Sequence, residues 1–171
     1  MTGGPRRRSR AVALQILHQM DVSPELEPAA ALNLYFGQLA ASGGDIAIDE
    51  DEPATVDGSS ERAAGTNAAA ISATIDRPLV EQLIQGVFQH RVELDQMLAA
   101  ASKNWRLERM AVVDRNVIRL ALFEIKHCPD VPVAVAINEA IELCKRFGSA
   151  EASAFVNGLL DRAVDELGLR R

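Results

Sequence analysis

Residues 113–148 read VDRNVIRLALFEIKHCPDVPVAVAINEAIELCKRFG, and the spacing of their apolar side chains decides the fold. Val113, Val117, Leu120 and Ala121 recur at helical intervals. Ile118, Leu122 and Ile125 widen this stripe around the helix, which predicts a central, well-buried element ending near Cys128. Pro129 and Pro132 force a turn, and Pro132 is also placed to open the next helix. Val133, Ile137, Ala140, Ile141, Cys144 and Phe147 mark that helix. Lys145 and Arg146 then sit where cations suit the carbonyl end, and Gly148 stands at the exit.

The same pattern extends in both directions. Phe155, Val156, Leu159, Leu160, Ala163, Val164 and Leu167 predict a last helix. Upstream, Asp76 is placed as an N-cap with Pro78 in the first turn. Leu79, Val80, Leu83, Ile84, Val87, Phe88, Leu94 and Leu98 then read as one long amphipathic helix, with a break around Ser102–Trp105. Helical spacing also covers Ala11–Met20 and about Leu26–Ala40, with Pro24 and Pro28 near the start of the latter. Apolar residues make up 48% of the chain but aromatics only 4%, and no segment reads as a strand. The expected fold is all-α: a compact bundle of about six to seven helices forming a single domain over 1–171, with short connections.

One stretch breaks the pattern. Residues 42–75 are rich in Gly, Ser, Ala and acids and show no periodicity, which predicts a long acidic, mobile insertion unable to offset its ordering entropy. Asp45, Asp49, Glu50, Asp51, Glu52, Asp57 and Glu61 fall there with no Lys or Arg before Arg62. The formal charge of −6 is therefore uneven: residues 42–61 carry −7 and the remainder about +1. Such segregation leaves room for nucleic-acid binding elsewhere on the chain.

No apolar stretch reaches the roughly 18–20 residues of a membrane span, and no signal-peptide core follows the N-terminal arginines, so a cytoplasmic location is expected. Cys128 and Cys144 form no C-x-x-C pair and read as small buried hydrophobes. His18, His90 and His127 show no metal-ligand spacing. No phosphate loop, nucleophile elbow or zinc-protease motif is present, so neither catalysis, cofactor nor metal is expected.

Three groups of residues remain as candidates for binding. Arg6, Arg7, Arg8 and Arg10 open the first helix, where the positive end of the dipole disfavours them. Arginine forks fit phosphates and stack on bases, although terminal basic runs are equally common as solvated tails. Lys145 and Arg146 precede a helix carrying Phe155, which would make a stacking platform for single-stranded RNA if exposed; spacing alone favours a core position. Arg115 and Arg119, four apart, share a helical face beside Asp114 and need a carboxylate or a partner to offset their repulsion. Asp114 also reads as an N-cap, and Asn138-Glu139 as a mid-helix structural pair.

The stretch from Asp114 to Glu124 resembles the NusB family of transcription antitermination factors. Val131-Pro132, the run Val135 to Leu143, then Lys145, Phe147 and Gly148 extend the likeness, as does Phe155 to Asp161. Arg7, Arg8, Arg10 and Ala13 to Leu17 also fit. The resemblance implies an all-helical, non-enzymatic protein that binds a small ribosomal-subunit protein, NusE, and with it recognises boxA-type single-stranded RNA within the RNA polymerase antitermination complex. By the same resemblance, RNA contacts fall on Arg6, Arg7, Arg8 and Arg10 and near Glu151 and Phe155. Partner contact falls on Asp114, with Arg115 and Arg119 nearby. The sequence departs from the family where His18 stands for a frequent Tyr, where Ala154 stands for a frequent polar residue, and in the acidic insertion, which is expected to stay outside the core and compete with RNA for the arginines. Two other roles are compatible with such a domain: the front end of a ribosomal RNA methyltransferase system, and a homodimer that hides its arginines.

Overall fold

The computed structural model describes residues 4–41, 74–102, 109–149 and 151–169. Among them are seven helices and no strand. They are α1 (Pro5–Val22), α2 (Pro28–Ala41), α3 (Arg77–Gln89), α4 (Arg91–Ala101), α5 (Val112–His127), α6 (Val133–Phe147) and α7 (Ala152–Glu166). The all-α expectation is met. The acidic stretch 42–73, with its expected mobility, lies outside the described residues. Ile75, which the sequence groups with that stretch, is buried in the core.

The deciding stretch folds as its spacing predicts. Every residue of α5 from Asn116 to Ile125 is buried. A helix buried on all sides must be wrapped, and α5 packs against α1, α3, α4, α6 and α7. The short turn through Pro129 and Pro132 lays α6 back on α5. Gly148 then ends α6 in an extended conformation.

Local chemistry sets the other boundaries. Pro5 opens α1. Asp76 caps α3, its carboxylate accepting from the Leu79 amide at 3.1 Å. The Ser9 hydroxyl donates to the Pro5 carbonyl at 2.9 Å and accepts from the Asp76 amide at 2.9 Å, tying the starts of α1 and α3 together. Tyr35 donates to the Gln15 side chain at 3.0 Å, pinning α2 on α1.

The single long helix expected over Leu79–Leu98 is two helices. His90 takes φ −97° and ψ 11°, outside the α region, and separates α3 from α4. Periodicity misses this break because the apolar face continues across it. The bend turns α4 away from α1 so that its buried face packs on α5 and α7. At the bend the His90 ring stacks on His127 with centroids 4.0 Å apart, a contact a straight helix would not be required to make.

Among the described glycines, Gly86 makes the closest approach to a neighbouring side chain. A Cβ placed there would collide with the ring of Phe123, a side chain only 5% exposed. Gly86→Ala is therefore expected to destabilise the fold by about 1–3 kcal/mol, the usual range for overpacking. Thermal melts should show that loss, and Phe123→Leu in the same chain should recover part of it.

Candidate nucleic-acid and partner interface

The four N-terminal arginines lie within the first two turns of α1, and helical phase gives them different environments. Arg6 is exposed, Arg7 and Arg8 are half-buried, and Arg10 is buried. Arg10 grips Glu124 of α5 with a two-pronged pair: Nη2 to Oε1 at 2.8 Å and Nε to Oε2 at 3.0 Å. Its other nitrogen, Nη1, lies 3.7 Å from Glu139. Arg10, which the resemblance assigns to RNA contact together with Arg6, Arg7 and Arg8, has its guanidinium engaged inside the bundle by two carboxylates.

Glu139 of α6 is shared. It accepts from Arg7 Nη2 at 2.8 Å and Nε at 3.1 Å while also facing Arg10. Arg7 Nη1 is 3.9 Å from Glu142, and Glu142 accepts from Lys145 at 2.7 Å. The Lys145 hydrogen bond, then the charges of Lys145 and Arg7, hold the Glu142 carboxyl below its ordinary range. An unbroken ionic chain therefore runs from Glu124 in the core through Arg10, Glu139, Arg7 and Glu142 to Lys145 at the surface. It brings two candidate groups, 138 positions apart in sequence, onto one face.

Phe155 stands in the first turn of α7, half-buried and packed against the edge of the core, which answers the choice between platform and core with an intermediate position. Glu151 is exposed and occupies the N-cap position of α7 without a side-chain capping bond.

The three residues assigned to partner contact separate. Ala111, not Asp114, is the N-cap of α5. Asp114 lies in the first turn, and its Oδ1 is buried with no hydrogen-bond partner among the described residues. Burial raises its carboxyl above the ordinary value. This oxygen faces the end of α6: a Cβ at Gly148 would lie 3.1 Å from it. Arg115 and Arg119 point elsewhere, toward Asp21 at the end of α1. Asp21 receives Arg91 at 2.8 Å, Arg119 at 3.3 Å, Asn116 at 3.2 Å and Arg115 at 3.4 Å. Arg119 also clasps Asp95 of α4 at 2.7 and 2.9 Å and is 4% exposed. Arg119, which the resemblance sets near the partner contact, is engaged as an internal clamp joining α1, α4 and α5. The carboxylate needed to offset the Arg115–Arg119 repulsion is Asp21, which no spacing rule singles out.

These features define a helical module whose basic first turn is locked to its buried centre, with a buried carboxylate oxygen that has no partner among the described residues at the junction of α5 and α6. The family model that matches the chain is described as the NusB family and spans residues 44–165. The transcription antitermination protein NusB of Geobacter sulfurreducens is 35% identical over 164 residues, 96% of each chain. That of Myxococcus xanthus is 58% identical over 83 residues, covering 48% of this chain and 59% of the relative, under two thirds of its length. Among solved structures, T. maritima NusB superposes with a TM-score of 0.66 at 28% identity, covering 96% of this chain and 94% of that one. The chain belongs to the NusB family.

Two outcomes follow from the geometry. Arg10→Ala leaves Glu124 buried and uncompensated and should cost about 3–5 kcal/mol, whereas Arg10→Met with Glu124→Leu should recover most of it; urea unfolding of the three chains checks this. Asp114 has a raised folded pKa, so its ionisation costs the folded state more than the unfolded one. Stability is therefore lost as pH rises from about 4, where unfolded Asp titrates, through the higher folded value. Asp114→Asn should melt higher than the parent at pH 7.5, with the difference shrinking at pH 4, by calorimetry.

Proposed function

We propose that this chain is an RNA-binding transcription antitermination factor, which grips the phosphates of a boxA-like single strand with the first turns of α1 and acts together with a NusE-type small ribosomal-subunit protein. The observation that carries the reading is the ionic chain from Glu124 to Lys145. It anchors Arg7 and links it to Lys145 on a rigid base, with Arg6 and Arg8 as its neighbours in the first turn of α1. Preorganised guanidinium groups lose less freedom on binding than a solvated tail would, and their forks suit phosphate oxygens. Phe155, partly open, offers a ring on which a base can stack. The relatives' shared name, transcription antitermination protein, supports the same direction.

Asp114 is the natural contact for the protein partner. A buried carboxylate oxygen without a donor costs free energy that a partner's amide, hydroxyl or cation would recover. Arg10 and Arg119 enter this reading as positioning residues: Arg10 fixes the register of α1, and Arg119 holds α4 and α5 on its far end.

Fluorescence anisotropy with a boxA-like single strand, with and without NusE, tests the proposal. Arg6→Ala with Arg8→Ala should weaken binding and flatten the dependence of log K on log salt by about 0.7 for each phosphate no longer neutralised. An unchanged salt slope in the double variant, with the fold intact by circular dichroism, would overturn the assignment of the footprint to α1.

A further inference from the structure

A second cluster lies at the bend between α3 and α4, and the function proposed above makes no use of it. Nδ1 of His90 is 3.1 Å from Oε2 of Glu93, and Nε2 of His127 is 3.0 Å from the same oxygen. The ligand atoms of all three residues lie within 4.8 Å of one another. Two imidazoles from different elements therefore converge on one carboxylate oxygen, with their rings stacked at 4.0 Å. All three side chains reach solvent, with exposures of 38% for His90, 37% for Glu93 and 25% for His127.

We propose that His90, Glu93 and His127 form a surface site for one zinc-class divalent ion, with the fourth position open to water. Two imidazoles and a carboxylate are the donor set that zinc accepts, with bonds of roughly 2.0–2.2 Å. An ion at the present position of Oε2 would stand 3.0–3.1 Å from the two ring nitrogens, so binding requires both imidazoles to close on it by about 1 Å and tilt out of their stack while the carboxylate swings aside. Each ring then turns a lone pair rather than an N–H toward the centre, its proton moving to the opposite ring nitrogen.

The surroundings fit an ordered site. Lys126 donates to Oε1 of Glu93 and so orients the carboxylate from its other oxygen, leaving Oε2 as the single-oxygen donor. Phe123 backs the pair, its ring 5.4 Å from His127 and 6.0 Å from His90. A bound ion would clip the α3–α4 bend to the C-terminal end of α5.

The test uses the full untagged chain, stripped with chelator and titrated with zinc chloride by calorimetry, with cobalt(II) as the optical probe. One saturable equivalent is expected, together with a rise in melting temperature on adding zinc. His90→Gln, Glu93→Gln and His127→Gln should each weaken binding by at least about tenfold, the lower bound for losing even an outer partner of a metal site. His18→Ala, outside the cluster, should bind as the parent does. The cobalt form should lack the thiolate charge-transfer band that Cys128 or Cys144 would give; this readout needs no variant. Absence of saturable binding, parent-like affinity in both histidine variants, or a thiolate band overturns the site. None of these outcomes bears on RNA binding by α1.

Discussion

A charge buried in a helical bundle must be matched where it sits, and in this chain that requirement fixes the position of α1. Arg10 and Glu124 are both almost wholly withdrawn from solvent. An unmatched member of such a pair is far costlier than the pair itself, so alternative registers of α1 against α5 are excluded strongly. Two parallel hydrogen bonds also fix the angle at which the helices meet. Glu139 then couples this pair to Arg7, and the arrangement reaches the surface without a gap. The orientation of the exposed basic turn is set by a contact in the interior.

A similar device operates at the far end of α1. Asp21 gathers donors from α4 and α5, and Arg119 extends the clamp to Asp95. The first helix is thus held at both ends by ionic clamps and along its middle by Val12, Ile16 and Leu17. Polar groups specify the register while apolar burial supplies the bulk of the stabilisation.

Much of this is legible in the sequence. The broad stripe from Val113 to Ile125 announces a buried helix, Asp76 and Pro78 announce the start of α3, and Gly148 announces the end of α6. These are signals within one turn of chain, where residue type and local geometry determine each other. What stays hidden involves distance along the chain. Periodicity does not report a bend that keeps its apolar face, so the spacing runs straight through His90. An arginine at position 10 looks like those at 6 to 8 until the partner at 124 is known. His90 and His127 have no motif spacing because the fold, not a loop, brings them together around Glu93. Asp114 stands out in the sequence, but also as a cap, since its surroundings depend on where α6 ends.

The burial of α5 from Asn116 to Ile125 has a consequence for how such a protein diverges. Each side chain in that run is enclosed by neighbours from several directions, so drift there demands concerted repacking. Freedom to change is left at the two tips of the rod: the turn that bears Asp114 and the turn that bears Lys126 and His127. Lineages of this architecture should therefore concentrate their variation at those tips, while the interior of the rod stays nearly silent.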